Sequence, residues 1–357
     1  VLEALSLSVS AGVPTLLWGS PGTGKTSAVK ALAESLGWPV EVVIGSLREP
    51  SDFAGLPVVS GGAVRLAPPA WAQRLAAAGR GLLFLDELTT APPAVQAAML
   101  RVVLERVVGD VPLPAGVRVV AAANPPGEAA DGWELAPPLA NRLVHLDWPV
   151  HAERVARGLA VGFGRPSLSG FDRPATPRQA LVARAAVSAF LQVRPALVLR
   201  MPKGEAAGRG WPSPRSWEFT ATLLAACEAA AAGPDVRAAL VAGAVGEGAA
   251  LEFLSWTENL DLPDPAAVLA DPDSFELPRR SDRAFAALTS VAAVAVAADD
   301  KDVWEAGWRV VAKAARAAPD VATLVARTLA ARRPEGARIP AALLELTPIL
   351  RDAGLID

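Results

Sequence analysis

The chain has 357 residues, 52% hydrophobic and 20% charged, with 34 Lys and Arg against 37 Asp and Glu for a formal net charge of −3. At about 150 residues per domain this length predicts two to three domains with a substantial core, and the near-neutral balance argues against a broad polyanion-binding surface while leaving room for a local basic groove. A single cysteine, Cys227, excludes a disulfide framework or cysteine metal site and reads as a buried structural thiol; His145 and His151 are too few and too badly spaced for a histidine-built metal site.

The first 150 residues alternate short apolar runs with helical patterns. TLLW (15–18), VEVVI (40–44), GLLFLDE (81–87) and VRVVAAAN (117–124) are uninterrupted and mostly aliphatic, as strands buried on both faces must be, and the helices between them imply a parallel sheet. Two stretches break the alternation and read as hairpin insertions: residues 53–69, turning at Ser60, Gly61 and Gly62, and residues 105–120, turning at Gly109 and Asp110. Beyond Pro149 helical patterns take over. A Pro- and Asp-rich stretch at 261–280 marks a boundary, after which two or three helices run to Asp357. The expected organisation is an α/β domain over 1–150, a helical domain over 151–270 and a C-terminal helical extension over 271–357. Apolar runs such as the one near residue 294 fall short of the ~20 residues that span a bilayer, and no basic segment leads into an apolar one at the N-terminus. The expectation is a soluble, cytoplasmic protein, with an upstream segment before Val1 left open.

Between the TLLW strand and the helix SAVKALAESL lies GSPGTGKT, which fits G-x-x-x-x-G-K-[ST]. Its residues Gly19, Ser20, Pro21, Gly22, Thr23, Gly24, Lys25 and Thr26, with Ser27 following, can cradle phosphates through backbone N–H groups at a helix N-terminus. Lys25 would reach the β and γ phosphates of ATP, and Thr26 would ligate Mg²⁺. Only Lys25, Lys30, Lys203, Lys301 and Lys313 are lysine in this Arg-rich chain, so a lysine at this motif position is informative. A planar guanidinium cannot replace the compact ammonium there. GLLFLDE supplies the acidic partner: Asp86 for Mg²⁺, and Glu87 to polarise the attacking water, which favours hydrolysis over transfer to an acceptor. Asn124 ends the next strand, where it would position water or touch the γ phosphate, or else simply cap the turn before Pro125 and Pro126.

In the order GSPGTGKT, GLLFLDE, VVAAAN and LANRLVHLDW, residues 12–260 resemble the AAA+ ATPases, and more narrowly the MoxR family. The run from Glu87 to Gln96 is similar to a MoxR signature, and the two insertions match that clade's helix-2 insert and pre-sensor-1 hairpin. The resemblance implies an AAA+ P-loop domain with a parallel sheet and hairpin insertions, a helical lid, and a ring, a hexamer, completed by an arginine finger acting across subunits. It assigns Asn124 to sensor 1 and Arg142 to the finger. The family's Asp-Arg-Phe is here Asn141, Arg142 and Leu143, and a surface ion pair is the alternative role for Arg142. For sensor 2, Ser213-Pro214-Arg215 and Thr176-Pro177-Arg178 both place an Arg at the second position of a capped helix, and Arg215 is preferred. Trp133 lies in the loop before Arg142. The implied function is an ATP-hydrolysing chaperone or remodeller of a partner protein, assisting metal or cofactor insertion with a von Willebrand factor A domain partner. The alternatives are a nucleic-acid motor, disfavoured by hairpins in which Arg65 and Arg118 are nearly alone, and a slow nucleotide-dependent switch or scaffold.

Overall fold

Five parallel strands form the central sheet in the order β2-β5-β8-β1-β9, with β1 at Thr15–Trp18, β2 at Val40–Ile44, β5 at Arg80–Asp86, β8 at Gly116–Ala123 and β9 at Val144–Asp147. The computed structural model describes residues 1–125, 128, 132–164, 166, 168, 171, 173–259 and 262–337. The strand register lines up the C-terminal ends: Trp18 sits opposite Ala123 and Asp147, and Ile44 opposite Asp86. Loops leaving β1, β5 and β8 therefore emerge side by side, and β1 is where the chain order of the sheet reverses, the position at which open α/β sheets bind ligands.

The helices between and beside the strands are α1 (Leu2–Ala11), α2 (Lys25–Leu36), α3 (Ser51–Ala54), α4 (Ala70–Ala78), α5 (Pro93–Glu105) and α6 (Pro137–Ala140), of which α1, α2 and α4 pack on the sheet; α7 (Ala152–Val161) follows β9 and buries only Gly158. All four residues of β1 are buried, as are Leu82 to Leu85 in β5, which is why these runs lack polar alternation. Phe53, Trp71, Leu75, Met99 and Val102 close one side of the sheet as a single apolar cluster.

Both insertions are antiparallel ladders. The first pairs β3 (Leu56–Ser60) with β4 (Ala63–Ala67), and every residue of β3 is exposed. The second pairs only two residues on each side, β6 (Val107–Val108) and β7 (Val111–Pro112), because β8 already claims the chain from Gly116. The Leu66 N–H donates to the Asp110 carboxylate at 2.8 Å and the Asp110 N–H to the Leu66 carbonyl at 3.0 Å, so the turn of the second insertion is joined to the base of the first.

The chain divides into two compact units, Val1–Pro174 with Leu199–Leu251, and Ala175–Val198 with Glu252–Asp357. The first adds α9 (Pro214–Ala230) and α10 (Pro234–Val245) to the sheet domain; α8 (Pro177–Val193) belongs to the second, and α11 (Glu247–Glu258) crosses the division. Residues 151–270, expected from the sequence to form one helical domain, are thus shared between the units.

In the second unit α12 (Pro265–Ala270), α13 (Ser281–Ala298), α14 (Lys301–Ala315) and α15 (Pro319–Ala330) pack around Trp304 and Trp308, whose rings meet edge to face at 5.8 Å. The Ala-rich α13 is long and apolar enough to cross a membrane by length and composition, and it is the one such helix among the described residues. Leu288, Val291, Ala292 and Ala295 of this helix are fully buried in that core. The helices expected to continue to residue 357 lie, over 338–357, outside the described residues.

Candidate functional site

Residues 19–24 connect β1 to α2 as a loop whose Gly22 and Gly24 take left-handed backbone angles, with φ of 75° and 89°. A Cβ at either would meet no protein atom within 4 Å, so the glycines serve the backbone path and leave open space beside it. At Gly19 the constraint is contact: a Cβ would lie 2.9 Å from the Trp148 Cβ. The Trp148 indole N–H donates to the Thr23 carbonyl at 3.1 Å and clasps the loop from outside, while the Thr23 hydroxyl donates to the Ser20 carbonyl at 2.7 Å. No side chain caps the start of α2, whose free N–H groups and positive end face the loop.

Lys25 is only 7% exposed, yet all three of its ammonium donors find oxygen: the Gly19 carbonyl at 2.5 Å, the Ser20 carbonyl at 3.0 Å and Asn124 Oδ1 at 3.2 Å. Burial lowers its pKa from the usual lysine value, and the charges of Asp86 and Glu128 oppose that shift. Thr26 Oγ1 donates to Asp86 Oδ2 at 2.7 Å, and Asp86 Oδ1 accepts the Glu87 N–H at 3.0 Å. Glu87 itself is in the left-handed region, φ 57° and ψ 45°, which turns its side chain away from the line of β5. Its carboxylate accepts the Ser46 hydroxyl at 2.5 Å.

The open space, the uncapped N–H groups and the buried ammonium suit a polyphosphate, and the adjoining Thr26 hydroxyl and Asp86 carboxylate are hard oxygen donors of the kind Mg²⁺ takes. No group of three or more His, Cys, Asp or Glu side chains able to hold a metal occurs among the described residues, so a cation here would draw its remaining ligands from phosphate and water.

The structure brings Gly19 to Ser27, Asp86, Glu87 and Asn124 to one end of the sheet. Arg142 follows α6; it is partly buried, its Nη1 donates to the Pro138 carbonyl at 2.5 Å, and its Nε is buried without a partner. Its pKa is lowered first by burial and then by the charge of Arg215, which stands at the second residue of α9 in the same unit. Arg178 lies in the other unit, where it faces Asp264 at 3.9 Å beside a Thr176 capping box. Trp133 is half exposed and donates its backbone N–H to the Thr89 carbonyl at 2.7 Å.

Four neighbours of the site carry no sequence signal for the part they play: Ser46, Trp148, Asn141 and His145. The last is fully buried with its pKa pushed down to about 4 by desolvation. Trp18 Nε1 can only donate, so His145 Nδ1 accepts at 2.8 Å and Nε2 carries the proton toward the Ala140 carbonyl at 2.9 Å. Each of the four is defined by a partner remote in sequence or by burial rather than by a motif.

Residues 14–143 match the family model of the AAA domain (dynein-related subfamily). Over 132 residues the chain is 37% identical to the Psp operon transcriptional activator of Escherichia coli (strain K12), which covers 35% of this chain and 41% of that protein. The chain therefore spans about two fifths of that relative's length. A solved structure of a provisionally assigned ATPase from Cytophaga hutchinsonii aligns with a TM-score of 0.43 at 17% identity, over 69% of this chain and 80% of that one. Four of the five strands of the parallel sheet fall within the matched residues 14–143, β9 following directly, and the sheet with its flanking helices is of the α/β class that an AAA domain has.

Proposed function

We propose that the chain is a Mg²⁺-dependent AAA+ ATPase of MoxR type that assembles into a ring, a hexamer, and uses ATP hydrolysis to remodel a partner protein or to assist metal or cofactor insertion into it. The observation that carries this reading is the convergence of Lys25, Thr26, Asp86, Glu87 and Asn124 at the ends of three adjacent strands.

Each residue has a distinct role. Lys25 and the N–H groups opening α2 bind and orient the β and γ phosphates. When bound, Mg²⁺ neutralises charge on those phosphates, with Thr26 Oγ1 and the Asp86 carboxylate as its protein ligands. Glu87 accepts a proton from the water that attacks the γ phosphorus, giving ADP and inorganic phosphate. Asn124 holds the Lys25 ammonium and orients that water. Arg142 reaches the nucleotide of a neighbouring subunit, a contribution of the kind worth ~10³ to 10⁵ in rate. Arg215 contacts phosphate and transmits its presence to the helical region.

A protein client is supported by the near-neutral charge and by exposed Leu56, Val58, Val59 and Val64 on the first insertion. The resemblance to MoxR proteins adds a von Willebrand factor A domain protein as that client. The likeness to a transcriptional activator is confined to the ATPase-like segment and carries no DNA-binding argument. Glu87→Gln protein with ATP should hold its client on a stalled ring, so a pull-down tests the reading. Recovery of no protein client counts against remodelling; stimulation of ATP turnover by DNA or RNA favours a nucleic-acid motor, and ATP binding without turnover a switch.

A further inference from the structure

Asn141 precedes Arg142 in the chain and is 5% exposed, and both ends of its carboxamide are bonded to the segment leading into α9. Its Nδ2 donates to the Trp211 carbonyl at 3.0 Å, and its Oδ1 accepts the Ser213 hydroxyl at 2.7 Å. Ser213 is the N-cap of α9: its hydroxyl oxygen accepts the Ser216 N–H at 3.2 Å, while Ser216 Oγ accepts the Ser213 N–H at 2.9 Å. Pro214 and then Arg215 follow. One side chain thus fixes the residue beside Arg142 to the cap two residues before Arg215.

On its other side the same turn is tied to the sheet, because the Ala140 carbonyl accepts His145 Nε2–H, and His145 in turn accepts from Trp18, the last residue before Gly19. The turn carrying Arg142 is therefore held from both directions by neutral, buried hydrogen bonds.

What those bonds hold together is a pair of like charges. Among the described residues neither Arg142 nor Arg215 makes an ion pair with a carboxylate. Arg142 also keeps a buried Nε without a partner. The charge of Arg215 acts unfavourably on Arg142, and a group left unpaired on burial costs free energy, so other contacts offset that cost. An anion placed between them would satisfy both.

We propose that Asn141 is a positioning residue that registers Arg142 against Arg215, making the two a paired guanidinium site for a single phosphoryl group. This deepens the ATPase reading and rests on it for the identity of the anion. A neutral carboxamide suits this position because it bridges a carbonyl and a hydroxyl at once and adds no charge that would compete with phosphate for the arginines. An aspartate there would lose the donor to Trp211 and supply the carboxylate that the pair lacks.

The test compares wild type with Asn141→Ala, Asn141→Asp, Ser213→Ala, Ser213→Thr and the Asn141→Ala/Ser213→Ala double variant, all in the full chain. ATP turnover should show kcat lowered about tenfold or more in the two single alanine variants with KM within about twofold, the pattern of a contact used mainly in the transition state. The double variant should be no worse than either single, Ser213→Thr should restore activity, and Asn141→Asp should be at least as impaired as Asn141→Ala. An unchanged kcat in Asn141→Ala, or strictly multiplicative losses in the double variant, overturns the proposal while leaving the ATPase reading intact. A second measurement is independent of turnover: in a Lys25→Ala background, inorganic phosphate should raise the melting temperature, and Asn141→Ala should remove at least half of that rise. No rise at all, or a rise that Asn141→Ala leaves whole, overturns the proposal even if the chain hydrolyses no ATP.

Discussion

Thr26 and Asp86 lie sixty residues apart in sequence, yet the Thr26 hydroxyl donates to the Asp86 carboxylate at 2.7 Å. The sheet makes this contact: β1 and β5 flank β8, so the first turn of α2 and the end of β5 open onto the same space. Both groups present hard oxygen to one point, and replacing Asp86 by Ala should abolish the Mg²⁺ dependence of ATP binding and lower turnover by about 10² or more. Turnover against Mg²⁺ concentration, with chelator as the zero point, checks it. A Mg²⁺ response unchanged in Asp86→Ala would remove that residue from the cation site.

Ser46 bears on the other half of the acidic pair. Its hydroxyl donates to Glu87 at 2.5 Å, which engages the oxygen a water molecule would need as base. The contact is exposed, so water competes with it, but it biases Glu87 toward that orientation. Ser46→Ala should therefore raise basal kcat, by up to about tenfold, and leave KM for ATP unchanged. A fall in kcat would mean that Ser46 holds Glu87 in its working position instead.

His145 makes stability depend on pH. Its folded pKa of about 4 lies below the ordinary histidine value, so the unfolded chain binds the proton more readily. The stability tied to this depression is fully present above pH of about 6.5 and is lost as the pH falls toward 4, by about 3 kcal/mol at most. Urea unfolding between pH of about 7 and about 4.5 should show the loss. His145→Gln should be less stable at neutral pH, because the Trp18 and Ala140 bonds are disturbed, and should show a weaker pH slope in that window.

The trans role proposed for Arg142 predicts complementation. Mixing Arg142→Ala subunits with Lys25→Ala subunits should give ATP turnover above that of either protein alone, because some interfaces then join an intact loop to an intact finger. Simple dilution behaviour across all mixing ratios would contradict the trans assignment.

Much of this site is legible in the chain because its signals are local. GSPGTGKT carries its glycines, its lysine and its flanking strand and helix within one stretch, and β5 runs its aliphatic residues straight into Asp86 and Glu87. The strand β9 has no such signal, since VHLD is four residues long with a buried histidine that is polar by type and neutral in place. Its strand character comes from pairing with β1. The second hairpin is shorter than its sequence suggests because β8 begins at Gly116. Asn141 and Ser213 are 72 residues apart, and Ser46 and Glu87 are 41 apart, with nothing in either neighbourhood to announce the partner. Separation of α8 from α9 into different units is equally invisible, since both begin with a capping hydroxyl, a proline and an arginine.

The proposed function stands on hydrolysis of ATP by this constellation. Phosphate release should be measured for wild type, Lys25→Ala and Glu87→Gln, alongside equilibrium binding of a fluorescent ATP analogue to each. Expected are Mg²⁺-dependent release by wild type, loss of binding and release in Lys25→Ala, and retained binding with release reduced about 10² or more in Glu87→Gln. Near wild-type release by Glu87→Gln, or ATP bound by wild type but never cleaved, would contradict it.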